Sequence, residues 1–194
     1  MPGKISKSPN IKIIESITEK DFLDAIKLIK RNLYSEDTME AELRSTSSGE
    51  LLLAKDRGKI VGVLYQRRPG KIFVDYPDEY FELSKIKAAQ KSIGYIAVIA
   101  VAKDCQGLGI GKMLLKKALG LQQEFGSGAV VVHCSKNSPG NASEKLFTSF
   151  GFKPLKLFVR PWEEISKIRG KEGFACAFCG NPCVCDELEM VKYL

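Results

Sequence analysis

The 194 residues carry a net charge of +7, with 44% hydrophobic and 27% charged side chains. That length suits one substantial core and is short for two full domains. No apolar run approaches the roughly 20 residues that cross a bilayer, and the polar residues 1–10 lack the apolar stretch of a signal peptide, so a cytoplasmic protein without a membrane role is expected. The basic residues are scattered and interleaved with acids, as in Glu15-Ser16-Ile17-Thr18-Glu19-Lys20-Asp21. This is the pattern of a solvated surface rather than a nucleic-acid face, although the excess also suits a polyanionic ligand.

In chain order, 11–14 reads as a strand. Thr18 reads as the N-cap of a helix with Phe22, Ile26, Ile29 and Leu33 at helical spacing. Ser35-Glu36-Asp37 opens a shorter helix with Met39 and Leu43. Residues 51–54 and 60–65 form a hairpin across Asp56-Arg57-Gly58-Lys59. An insertion over about 67–92 follows, in which 79–91 has helical character. The almost wholly apolar 93–102 is expected as a strand buried on both faces. Residues 112–125 read as a helix with Met113, Leu114, Ala118 and Leu121 inward, 129–134 as a second buried strand, 141–149 as a helix, and 151–159 and 188–194 as closing strands. This order predicts one mixed α/β domain over 11–194 around one sheet.

The densest signal is Val101-Ala102-Lys103-Asp104-Cys105-Gln106-Gly107-Leu108-Gly109-Ile110-Gly111-Lys112, a buried strand running through alternating glycines into a helix. Glycines admit unusual dihedrals and close approach of a ligand, and the free amides at a helix start attract anions. Phosphate binding is therefore expected, against the alternative of a tight turn with no ligand. A Walker A loop would need glycine at Gln106 and Ser or Thr at Met113, and a dinucleotide fingerprint needs G-x-G-x-x-G. Neither matches.

Gln106-Gly107-Leu108-Gly109-Ile110-Gly111 resembles the acetyl-CoA motif of the GNAT (GCN5-related N-acetyltransferase) family, Q/R-x-x-G-x-G/A. Leu146-Phe147-Thr148-Ser149-Phe150-Gly151-Phe152 resembles its L-Y-x-x-x-G-F segment, and Met190-Val191-Lys192-Tyr193-Leu194 its last strand. The resemblance implies a mixed, mostly antiparallel sheet flanked by helices. It also implies acetyl-CoA as cosubstrate and direct attack by an amine, from a small molecule or a protein. Ile99, Ala100 and Val101 would line the pantetheine arm, residues Gln106 to Lys112 the phosphates, and Asn141 and Phe147 would lie beside the coenzyme. The Val101 N–H would polarise the acetyl carbonyl. Phe147 stands where many members carry a proton-donating tyrosine. Tyr95 falls where some members carry a glutamate base, and His133, the only histidine, should flank the acetyl group. Glu79, Glu82 or a water chain are alternative bases. Asn141 has a second reading as a helix cap, and His133 as a satisfied core residue.

Cys176, Cys179, Cys183 and Cys185 give C-x2-C-x3-C-x-C within the second insertion, about 167–186. Four thiolates on a Gly- and Pro-containing loop suit one tetrahedral zinc. An iron–sulfur cluster and unliganded or redox thiols are the alternatives. A different class of function also stays open: a non-catalytic acyl-CoA sensor, or a basic zinc-loop module for protein or RNA. The oligomeric state is not legible.

Overall fold

A computed structural model describes residues 10–35, 39–71 and 78–194; most of the 1–10 tail and residues 36–38 and 72–77 lie outside them. β1 (Ile11–Ile14) leads to α1 (Glu19–Asn32), which Thr18 caps by accepting from the Asp21 N–H at 3.2 Å. After the two-residue β2 (Tyr34–Ser35) come α2 (Met39–Arg44) and the hairpin of β3 (Leu51–Asp56) and β4 (Lys59–Arg67). Arg57 and Gly58, both at positive φ, make its turn, the twist-matched geometry for a two-residue hairpin loop. β5 (Ile93–Val101), α3 (Ile110–Glu124), β6 (Ala129–Ser135), α4 (Ala142–Ser149) and β7 (Lys153–Phe158) follow as the periodicities predict. α5 (Glu163–Arg169), the short β8 (Ala175–Cys176) and β9 (Glu187–Tyr193) complete the chain.

The main sheet has the order β1-β3-β4-β5-β6-β9-β7; β5 and β6 are parallel and every other neighbour is antiparallel. β2 and β8 pair separately. One face of the sheet packs Leu52, Leu64, Ile96, Val130 and Val132 against Leu114, Ala118 and Phe147 of α3 and α4. The other packs Leu53, Val63, Val98 and Ala100 against Phe22, Ile26 and Ile29 of α1.

Three expectations change. Residues 79–91 form no α-helix but 3-10 turns at Leu83–Lys85 and Gln90–Ser92, after one at Asp78–Tyr80. Phe81 and Ile86 are anchored on Tyr95, Val131 and Val191, five residues apart, which no helical stripe provides. Met113 is 40% exposed, and Leu115 is buried instead. α5 and the β2–β8 ladder were not foreseen.

The feature that shapes the site is a bulge. Tyr65 pairs with Val98 but Gln66 pairs with Ile96, so Ala97 is an extra residue in β5. A bulge shifts side-chain parity and bends its strand. Accordingly Tyr95, Val98 and Ala100 share one face of the sheet, and Ile96, Ile99 and Val101 pack with the core of the other. The last β5–β6 pair is Ile96 with Val132. Beyond it the two parallel strands part, leaving a wedge with the second half of β5 as one edge.

Candidate active site

Backbone groups line the β5 edge. The Ala102 N–H donates to the Val61 carbonyl at 2.9 Å. By the alternation of an antiparallel pair, Ala100 is also turned to β4, whereas Ile99 and Val101 direct their N–H and C=O into the wedge. Gln106 takes up one of these groups, its Nε2 donating to the Val101 carbonyl at 3.2 Å. Of the strand residues expected to touch a ligand, then, Ile99 and Val101 offer backbone polar groups to the wedge and Ala100 does not.

The glycine turn lies beside this edge: a Cβ on Gly111 would come 3.9 Å from Val101 and 4.0 Å from Ile99. Gly107 and Gly109 hold φ of +79° and +80°, and a Cβ at either would meet nothing within 4 Å. Glycine is needed here for the backbone angle, and the space above is open. Gly109 is the N-cap of α3 and has no side chain to cap it. The first helical bond runs from the Met113 N–H to the Gly109 carbonyl, so the amides of Ile110, Gly111 and Lys112 lack intrahelical acceptors and form an anion cradle. Leu108 and Lys112 are exposed beside it. The Ile110 side chain is buried in the core, leaving only its backbone for a ligand.

Asn141 stands at the N-cap of α4 but makes no cap bond. Its Nδ2 donates to Glu144 at 2.6 Å, and its Oδ1 is buried without a partner. Phe147 is buried edge-on against Phe152.

A cavity of about 220 Å³ occupies the wedge, lined by Ile99 and Phe147 on the α3–α4 face and by Leu33, Glu42 and Tyr65 on the α1 face. It therefore passes through the sheet between β5 and β6. Tyr95 and His133 both line it, and Tyr95 Oη lies 3.0 Å from His133 Nδ1. The His133 side chain is 8% exposed, between the rings of Phe81 and Phe158. Burial pushes its pKa down to about 4, so the imidazole is neutral at physiological pH. Its Nε2 makes no hydrogen bond of good geometry; the Tyr80 backbone carbonyl interacts with the imidazole and slightly offsets the effect of burial, and Glu189 Oε1 is 3.9 Å away. Glu189 is fully buried and accepts from the Glu82 N–H at 3.0 Å; burial raises its pKa to about 7. Glu187, opposite Ser135 on the cavity wall, is raised by burial to about 8.

Glu79 is exposed, and the Glu82 carboxylate is bound to Ser84 and Lys156, so neither alternative base is presented to the cavity. Glu187 and Glu189 had no place in the sequence reading. The available signal was two acids at i and i+2, which the pleat puts on one face, in a strand that also carries Leu188, Met190 and Val191.

The four clustered cysteines converge as their spacing predicts. All four Sγ atoms lie within 4.8 Å of one another. Cys179 is 3.3 Å from Cys185 and 3.7 Å from Cys183, and Cys176 is 3.8 Å from Cys185. One tetrahedral ion with metal–sulfur bonds of about 2.3 Å would set sulfurs about 3.8 Å apart. The Phe178 and Val184 amides donate to Cys176 and Cys179 sulfurs, which suits thiolates. The set fits a single ion; the several irons of a cluster would need wider-set cysteines.

Residues 13–152 match the model of the acetyltransferase (GNAT) family. The chain belongs to that family. The GNAT architecture is shared with the NatC complex bound to Gag peptide and CoA (TM-score 0.65, 17% identity, 95% of this chain and 98% of that one). It is shared too with the ribosomal-protein-S18-alanine N-acetyltransferase from Escherichia coli (TM-score 0.61, 14% identity, 94% and 93%). In sequence, 106 residues are 26% identical to GCN5-related N-acetyltransferase 4, chloroplastic, of Arabidopsis thaliana. The match takes in 54% of this chain and spans only 33% of that relative's length. Among the described residues no helix is long and apolar enough to cross a membrane.

Proposed function

We propose that this GNAT chain is an acetyl-CoA-dependent N-acetyltransferase, moving the acetyl group to an amine by direct attack in a ternary complex. The observation that carries this reading is the wedge at the β5 bulge, whose cavity is lined from both faces of the sheet and whose β5 edge runs on to Ile99 and Val101 beside Gly111 of the glycine turn. Coenzyme can enter from the α3 side and an amine from the α1 side. A non-catalytic sensor would have no use for the second opening.

The α3 amides and Lys112 would hold the phosphates, and the outward backbone groups of Ile99 and Val101 the pantetheine arm. The thioester supplies an activated acetyl group with a thiolate leaving group. With the phosphates at the turn, that group lies toward the apex near Ala97. The Ile99 N–H is then better placed than the Val101 N–H, the original candidate, to stabilise the developing oxyanion. The unpartnered Asn141 Oδ1 is available to a donor on the coenzyme.

On the acceptor side, Tyr95 Oη takes the proton of the attacking nitrogen while passing its own to His133 Nδ1. Glu189 behind Nε2 supplies the countercharge in its ionised form, which its pKa of about 7 favours on the alkaline side of neutrality. The N–C bond forms, the C–S bond breaks, and the proton ends on sulfur or in solvent. Phe147 donates no proton, yet with a thiol pKa of about 8.5 the thiolate is a tolerable leaving group. The four cysteines, in this reading, hold a structural zinc with no place in the chemistry. The reading predicts amine-dependent release of free coenzyme A from acetyl-CoA; release that is the same with and without amine would count against it.

A further inference from the structure

The loop between β7 and β9 does more than carry cysteines. It reaches across the wedge to the exit of α1, where β8 pairs with β2, Tyr34 opposite Cys176 and Ser35 opposite Ala175. The Ala177 N–H donates to the Leu33 carbonyl at 2.7 Å, and Phe174 stacks on Tyr34 with ring centroids 6.1 Å apart. From the other side the Cys183 N–H donates to Ser166 Oγ at 2.8 Å, a buried group of α5. The thiol cluster sits between these anchors. Phe174, Cys176, Phe178, Cys183 and Cys185 all line the cavity. The loop is thus a roof fastened at both ends, and a bound ion would fix its middle.

The roof decides what can be acetylated. An extended peptide needs a groove open at both ends, with strand edges or pockets along it. Here the β2–β8 ladder occupies the crossing. The cavity beneath it is about 220 Å³, and the thioester and the acceptor would both draw on it. Its walls are aromatic (Tyr34, Tyr65, Tyr95, Trp162, Phe178), with the Glu187 carboxyl at one side. Rings of this kind favour an apolar body and attract an ammonium group during entry. We infer that the acceptor is a small primary amine with an aromatic or apolar body, entering end-on beneath a roof that the thiol-bound metal holds shut. This rests on the acetyltransferase reading and names the substrate class for it.

The test uses the zinc-loaded full chain with acetyl-CoA, and mass spectrometry of the acetylated product. 2-Phenylethylamine and isoamylamine are compared with a decapeptide offering a free N-terminus and a lysine. The expected result is acetylation of a small amine at a kcat/KM at least about 100-fold above the peptide. Tyr34→Ala, which removes the stack on Phe174, should raise the KM for that amine about 10-fold, with the acetyl-CoA Kd within about 2-fold. Comparable or better acetylation of the peptide would overturn the inference while leaving an acetyltransferase in place. So would acetyl-CoA binding without turnover of either small amine, or an unchanged KM in the Tyr34 variant. Failure of acetyl-CoA to bind would remove the underlying reading instead.

Discussion

The glycine turn follows the end of β5 and the cysteine loop lines the cavity in the wedge, and the two are built from different parts of the chain. At the turn, the backbone does the work: Gly107 and Gly109 sit at positive φ, and the ligand-facing groups are amides. Such a site is local, complete within about ten residues, and tolerant of what the side chains are elsewhere. The loop works through side chains and through contacts that span the sequence, Tyr34 with Cys176 being the plainest. On the proposed reading the first binds the coenzyme and the second shapes the acceptor's entrance. The two functions should therefore come apart under mutation.

The largest effect is expected at the turn. In Gly109→Trp the new side chain enters the open space above the cradle, and φ of +80° adds strain of about 1–2 kcal/mol. Acetyl-CoA affinity should fall more than about 100-fold by calorimetry, with the circular-dichroism melt showing the fold retained. Next comes Cys183→Ser, at a buried thiol. Bound zinc should drop below one per chain by elemental analysis, and the amine KM should rise. The acetyl-CoA Kd should stay within about 2-fold, which is what separates the two regions. Loss of coenzyme binding in that variant would tie them together.

Tyr95→Phe, between the two regions, should lower kcat about 10- to 100-fold with little change in coenzyme affinity, since it removes the hydroxyl bonded to His133 and leaves the ring. The smallest effect is in stability against pH. His133 has its folded pKa lowered from 6.5 to about 4 by burial. The unfolded chain binds its proton more tightly, so this residue makes stability rise between about pH 4 and 6.5. Glu189 is raised from 4.5 to about 7 by burial. The folded chain holds its proton more tightly, so this residue makes stability fall between about pH 4.5 and 7. The two slopes oppose each other in wild type. Glu187, raised by burial to about 8, adds a second falling slope over the same range. Glu189→Gln should therefore make the net slope between pH 4.5 and 7 more positive than in wild type, and chemical denaturation at those two pH values would read it.

The same contrast explains what could be read from the sequence. Gln106 to Gly111 could be read as a candidate anion site, and the structure gives it positive-φ glycines ahead of a helix start, because these features lie in residues adjacent in the chain. The convergence of the four cysteines was legible because ligand type and spacing are local as well. The hydrophobic periods placed β3 to β6 and α3, since burial on one or both faces leaves a repeat. What stayed hidden depended on long-range pairing. The Ala97 bulge is a register shift between β4 and β5. The roof depends on residues more than a hundred positions apart, and Glu189 gains its meaning only opposite His133. The 3-10 turns around Leu83 and Gln90 lack the periodic stripe that a helix would display.

The central claim is that the wedge and glycine cradle form the coenzyme site. Calorimetric titration of the zinc-loaded chain with acetyl-CoA, repeated on Gly109→Trp, tests it directly. The account predicts saturable one-to-one binding to the wild type and none to the variant. Absence of binding in the wild type, or equal binding by both, would contradict it.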